Sequence, residues 1–329
     1  MLAAARAMSL VRVGLLLLWC VAVMHTTGVT VATPIVGKQY LIQNPNPYFR
    51  LEHPTSGGDC IFQKSVEGEY TFISSGNDAV CALYVVADPE YVVEFEILRF
   101  DVSCTKGGLL TVFDGWENNG EYFPSQEDHP KPMDQRFAEF CGPIKPWKPF
   151  VTSQNVGIVL FRVPTRGNYF SVLVSFRKNP KPCNVMLLPL SESPIYTLRN
   201  YGRRGNCSAA FIYPMNFRIL ATSIGSQSFS GSGNVEFETG LITKCRKRGV
   251  RDYAEFMGGT GLSIDGMTVI QDVCGLDSLP SKKAIGIPCG TTAVRLVSTG
   301  RFEDSITFGY EPIIERERVR LCAKALMTV

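Results

Sequence analysis

Residues 104–115 read CTKGGLLTVFDG, and residues 245–259 read CRKRGVRDYAEFMGG. Each stretch opens on a cysteine, crosses a polar, glycine-bearing turn and enters an apolar strand that ends on glycine. The same order recurs outward from both. Upstream lie the pairs Cys60 and Cys81, then Cys183 and Cys207; downstream lie Cys141-Gly142 and Cys274-Gly275. Each copy next gives an apolar strand, Val156 to Phe161 and Ala293 to Val297, and then a final alternating one, Tyr169 to Phe176 and Ser305 to Tyr310. A repeat of this length is a duplicated domain rather than a solenoid unit.

Within the copies the side chains alternate. Val93, Phe95 and Ile97 are interleaved with Glu94 and Glu96, and Phe170, Val172, Val174 and Phe176 surround Ser171 and Ser175. That period places one face in a core and the other in water. Asp114-Gly115 and Asn119-Gly120 supply the positive φ angles of tight hairpin turns. No long stretch beyond the N-terminus has helical period. Short strands separated by turn residues predict an all-β chain of two tandem β-sandwiches. Arg177-Lys-Asn-Pro-Lys-Pro182 follows a strand, and its prolines cannot donate to a ladder, so it is the expected linker. The expected domains are residues 33–180 and 181–329.

Arg6 and Arg12 precede the apolar run Val13 to Met24, with small residues at Thr26, Thr27, Gly28 and Ala32. This is the pattern of a secretory signal peptide over residues 1–32. The run is too short for a membrane-spanning helix, which needs roughly 20 apolar residues. Export followed by cleavage predicts an extracellular chain without membrane insertion. Removing Arg6 and Arg12 takes two charges from the formal +3, a balance that argues against nucleic acid as a partner.

Of eleven cysteines, Cys20 leaves with the leader. The remaining ten, an even set in an oxidising route, predict disulfides rather than zinc ligation. Local pairs are expected: Cys60–Cys81, Cys104–Cys141, Cys183–Cys207, Cys245–Cys274 and Cys289–Cys322. Spacing alone leaves other connectivities open, since six cysteines allow about 15. The duplication favours the local set, because the first two pairs should recur as the third and fourth.

The order of cysteine, strand ending in Asp-Gly, Cys-Gly and a strand after Ser153-Gln-Asn155 resembles the CUB domain, an extracellular jelly-roll sandwich. A fuller resemblance spans nearly the whole mature chain. Val112-Phe-Asp-Gly-Trp116, Gly120-Glu-Tyr-Phe-Pro-Ser125, Asp128-His-Pro130, Ser153-Gln-Asn-Val156 and Pro182-Cys-Asn-Val185 resemble the corticotropin-releasing factor-binding protein family. So do Asn206-Cys-Ser208, Ile212-Tyr-Pro214, Gly258-Gly-Thr-Gly-Leu262 and Val294-Arg-Leu-Val-Ser298. The resemblance implies two CUB-like jelly-roll domains and disulfides between consecutive cysteines. It also implies a secreted, non-enzymatic protein that sequesters corticotropin-releasing factor-like peptides, of urocortin or diuretic-hormone type, away from receptors. The alternative is a CUB-type matrix or assembly protein with protein partners. Vertebrate members carry basic and acidic residues around the first cysteine; here Thr55-Ser-Gly-Gly-Asp59 and Ile61-Phe62 flank Cys60, so those site residues do not carry over.

Trp116, Tyr122 and Phe123 lie in a turn-rich stretch and are candidate anchors for an amphipathic hormone helix. The competing and commoner fate of large aromatics is burial, folded back over one end of the sandwich to cover its core. Asn206 heads the sequon Asn206-Cys-Ser208 and is the expected glycan site. The run Lys244 to Arg251 reads as a solvated basic loop, with polyanion binding or dibasic cleavage as the sharper alternatives. No metal site or cofactor is expected. Arg99, Gly107 and Pro164-Thr-Arg-Gly167 stand where some CUB domains place calcium ligands, and Asp252 lacks a set around it. His53 and His129 have no motif context, and no nucleophile–base constellation appears, so no enzyme is expected.

Overall fold

The computed structural model describes residues 47–52, 60–143, 146–189, 194–225 and 240–314. The leader, His53, the 53–59 stretch before Cys60 and Cys322 lie outside the described residues. The first half runs β1 (Tyr48–Leu51), β2 (Ile61–Lys64), β3 (Gly68–Ile73), β4 (Val80–Val86), β5 (Tyr91–Asp101) and β6 (Leu109–Asp114). It continues with β7 (Trp116–Asn118), β8 (Glu121–Phe123), β9 (Phe137–Phe140), β10 (Phe150–Val151), β11 (Val156–Arg162) and β12 (Tyr169–Lys178). The second half runs β13 (Val185–Met186), β14 (Ile195–Arg199), β15 (Gly205–Phe211), β16 (Met215–Ile224) and β17 (Ile242–Thr243). It closes with β18 (Tyr253–Gly259), β19 (Thr268–Asp277), β20 (Ile285–Ile287), β21 (Thr291–Ser298) and β22 (Ser305–Pro312).

The alternation in β5 does what its period dictates. Val93, Phe95 and Ile97 are buried, and the glutamates between them reach outward. In the first half, β1-β3-β12-β5-β10 packs on β2-β4-β11-β6-β9. The second half repeats this order as β14-β22-β16-β20 and β13-β15-β21-β18-β19. There β19 pairs with β18 through its first residues and with β16 through its last, which joins the two faces. Even an irregularity is duplicated: β12 shifts register on β5 at Ser171/Val172, and β22 on β16 at Ile219/Ala221. The chain therefore folds as two tandem CUB-like jelly-roll sandwiches. Arg177 and Lys178, expected in the linker, are instead the last rungs of β12 opposite Val92 and Tyr91. The ladder ends where Pro180 and Pro182 remove donors.

Aromatic residues fill both cores. Phe72, Phe161 and Phe170 meet in the first, and Phe211, Phe217, Phe256 and Phe308 in the second. Disulfides Cys60–Cys81 and Cys183–Cys207 tie the start of β2 and of β13 to β4 and β15, with Cα atoms 4.6 Å apart in each. Cys104–Cys141 and Cys245–Cys274 form the second repeated pair. Cys289 is also disulfide-bonded.

Candidate functional site

Between the sandwiches lies a seam built from the motifs that link the two halves. Asn155 is its pin. Its side-chain Nδ2 donates to Ala87 O at 2.9 Å and Met186 O at 2.8 Å, and its Oδ1 accepts from Met186 N at 3.0 Å. Met186 belongs to the second half, so one buried amide holds both sandwiches by backbone groups. The hairpin of β7 and β8 adds an apolar clasp. Trp116 and Phe123 pack with Leu262, Ile264, Met267 and Ala293 of the second half. The Glu121 carboxylate accepts from Ser263 N at 2.8 Å, and a Cβ at Gly261 would collide with it. Asp128 completes the seam, accepting from Arg295 Nη2 at 3.0 Å and Asn206 Nδ2 at 3.1 Å.

Behind the hairpin sits a polar cluster around Asp114, which is 1% exposed. Lys131 Nζ donates to its Oδ2 at 2.6 Å, and Ser153 donates through both N and Oγ at 2.7 Å. His129 Nδ1 accepts from Lys131 N at 3.0 Å, which leaves Nε2 facing Asp114 Oδ1 at 3.4 Å. Burial alone pushes the Asp114 carboxyl up, but hydrogen bonds from His129, Lys131 and Ser153 outweigh it and hold it at about 2. Arg136 lies fully buried over the Phe113 ring, donating to Asp114 O and Pro124 O at 3.0 Å each. Burial brings its guanidinium down to about 10, which leaves it charged at neutral pH.

Beside the seam the two sandwiches leave a cleft of about 750 Å³. Its first lip is the turn from Ala87 to Tyr91, with Asp88 and Glu90 exposed at the rim. Its second lip is Met186, Leu187 and Leu188, with Ile195, Tyr196 and Tyr310 as the wall. Asn155 bonds Ala87 and Met186 and so fixes the spacing of the lips. Burial, with Glu90 nearby, raises the Tyr196 phenol and keeps it protonated. At Ile195 and Tyr310 the cleft meets a second groove of about 420 Å³ on the outer face of the second sandwich. Its floor is Gly309, which lies between Ile195 and Arg218 across the sheet and carries no side chain to fill the space. Ile195 is 52% exposed where the two depressions join.

The residues singled out from the sequence fall mainly in the seam. Trp116 is 5% exposed and Phe123 is 0% exposed, both sealed within it. Tyr122 is half-buried, with its ring against Phe113 and Phe137. Asn206 is half-buried at the seam's margin, and Ser208 of the sequon is buried. The basic run folds into a short turn in which Arg246 pairs with Glu255 at 2.7 Å. The cleft residues Ile195, Tyr196 and Tyr310 carry no signal beyond ordinary strand alternation. Asp88-Pro89-Glu90 reads as a turn and nothing more.

Comparison with known proteins agrees with this layout. Residues 55–179 match the corticotropin-releasing factor binding protein N-terminal domain, and residues 189–319 match its C-terminal domain. The human corticotropin-releasing factor-binding protein is 32% identical over 256 residues, covering 77% of this chain and 75% of that protein. The sheep protein of that name is 31% identical over 263 residues with the same coverage. Among solved structures, the CUB1-EGF-CUB2 domains of rat MASP-1 align at 11% identity and a TM-score of 0.24, over 76% of this chain and 99% of that one. The fold assignment rests not on that alignment but on the repeated strand order and disulfides. Both halves match in order, and identity with the human and sheep proteins extends across them, so the chain belongs to the corticotropin-releasing factor-binding protein family.

Proposed function

We propose that this protein is a secreted, non-enzymatic trap that sequesters a corticotropin-releasing factor-like peptide, of urocortin or diuretic-hormone type, and limits receptor activation. The observation that carries the reading is the cleft held open by Asn155 and continuous with the Gly309 groove. Its apolar floor, tyrosine wall and acidic rim suit an amphipathic peptide whose basic residues meet Asp88 and Glu90. The peptide runs from the cleft past Ile195 onto the outer face. Sequestration at hormone concentrations requires a nanomolar Kd, about −12 kcal/mol, which several buried apolar anchors can supply. Catalysis has little support: His129 is sealed beneath the Asp114 cluster, where no substrate reaches it.

Calorimetric titration of the purified chain with the amidated hormone tests this reading. Nanomolar binding, abolished receptor signalling and a loss of affinity in Ile195→Asp are expected. No heat at micromolar peptide would remove the trap. An unchanged Kd in Ile195→Asp would move the site out of the cleft. Glycosylation of Asn206 belongs to the same reading. A glycan on Nδ2 leaves one hydrogen for Asp128, and glycosidase treatment should increase the electrophoretic mobility of the secreted protein. An unchanged mobility retires the glycan.

A further inference from the structure

The chain as a whole is nearly balanced, with 33 Lys and Arg against 30 Asp and Glu. Its charges are not evenly spread. At the end of the second sandwich where β14, β18 and β21 begin or end, four loops converge. Thr299 donates to Asp252 through its N and Oγ1, joining the loop after β21 to the start of β18. Gly300 abuts the backbone of Arg204, and Asn200 Nδ2 donates to Phe302 O at 2.9 Å, joining that loop to the turn after β14. Lys181 of the interdomain connection meets Arg203 and Arg204 around a pocket of about 110 Å³.

These contacts place exposed Lys181, Arg203, Arg204, Arg301, Arg251 and Arg248 along one end of the sandwich, across the strand order β13-β15-β21-β18-β19-β17. At about 4.8 Å between neighbouring strands, the row extends roughly 20 Å. The carboxylates beneath it are already engaged. Asp252 is bonded by Thr299, and Asp304 by Asn200, Ser298 and Gly225. Glu303, beside Gly202, is the exposed acid of the loop that carries Arg301. The row thus lies outside the Arg246–Glu255 and Arg295–Asp128 pairs, whose charges are matched.

We infer that this basic end binds a sulfated polysaccharide of the extracellular matrix. The row is mainly arginine, whose planar fork pairs sulfate oxygens two at a time. A linear, flexible polyanion can follow a row of guanidinium groups spread over several loops, each sulfate meeting a different one. None of the six basic residues lines the hormone cleft, which opens at Ile195 and the Ala87–Tyr91 turn.

The test uses the full disulfide-bonded chain on immobilised heparan sulfate, on a sulfopropyl resin and with phosphatidylserine vesicles. Elution from heparan sulfate should need more salt than elution from the resin. The triple variant Arg203→Glu, Arg204→Glu, Arg301→Glu should weaken binding at least tenfold and flatten the log–log salt dependence by about one unit per lost contact. Arg248→Glu with Arg251→Glu, on a separate loop, should weaken it as well. Lys282→Glu with Lys283→Glu, before β20, makes a similar change in net charge and should leave binding within about twofold if local geometry decides. Equal elution from both resins, an equal loss in the Lys282/Lys283 control, or binding to vesicles without heparan sulfate each overturns the inference. Hormone affinity should be unchanged in the Arg248/Arg251 variant, whose loop lies away from the cleft and groove.

Discussion

In the first sandwich the outer edge of β3 is covered by β1, which runs parallel to it from Tyr48 opposite Glu69 to Leu51 opposite Phe72. In the second sandwich the equivalent edge is β14, and among the described residues no strand lies beyond it. The halves differ again after β6 and its counterpart β18. The first inserts the β7–β8 hairpin and drives it into its neighbour, while the second makes a short turn through Ile264–Gly266 that receives the hairpin. Duplication has therefore produced unequal partners. One copy covers its edge and supplies the clasp; the other accepts the clasp and, among the described residues, ends its sheet at β14 beside the cleft. Strand β14 adjoins the cleft and groove that we assign to the peptide.

The clasp is the sharpest point at which to break this asymmetry. Trp116→Ala or Phe123→Ala should cost about 3–5 kcal/mol of stability, as for other large buried aromatics, and shift the denaturation midpoint accordingly. Correctly folded variant protein should keep its hormone Kd; a loss of affinity in the folded fraction would return these rings to the binding face. Next is Asn155→Ala, which strips three buried backbone groups of their partners and should cost about 3 kcal/mol. Because Asn155 spaces the cleft lips, hormone affinity should fall with it, and unaltered calorimetry would separate pin from cleft.

A smaller effect is expected at Asp114. Its folded value of about 2 lies below the unfolded 3.8, so its stabilisation is complete above the unfolded value and is lost as pH falls towards 2. Asp114→Asn should remove about 2 kcal/mol at neutral pH and flatten the stability profile in that window. A wild-type profile already flat there would mean that the cluster does not hold the carboxylate. Smallest in energy is Ile195→Asp, expected to weaken hormone binding about tenfold, or 1.4 kcal/mol, with little change in melting because the side chain is half in water.

The architecture was legible because its determinants are local. Alternation in β5 and β12, the Asp-Gly turns and the repeated cysteine spacing each act within a few residues, and all pointed the same way. The motifs Ser153-Gln-Asn155 and Gly258 to Leu262 were visible too, but only as resemblance. Their work becomes clear across the seam. Ser153 bonds Asp114, Gln154 Oε1 accepts from Asn179 Nδ2 at 3.3 Å, Asn155 bonds Met186, and Gly261 makes room for Glu121. Trp116 and Phe123 were read as loop aromatics with two possible fates, their own sandwich or a ligand. A third fate, burial against the second copy, depends on domain placement that no local pattern encodes. The cleft was illegible for the same reason. Its walls come from β14, β22 and the Ala87–Tyr91 turn, which are far apart in sequence and individually ordinary.

The Asn155 pin also determines who bears the cost of capture. A receptor that shuts on its ligand must order itself at the moment of encounter, and that lost freedom is subtracted from affinity. With three bonds from one buried amide, the lips are held at a fixed spacing without any ligand. In the proposed reading the ordering falls on the hormone alone, which exchanges a mobile chain for a fixed one. A trap of the proposed kind would gain speed from rigidity: encounter would not wait for an opening, and the prepared cleft would compete with a receptor from first contact.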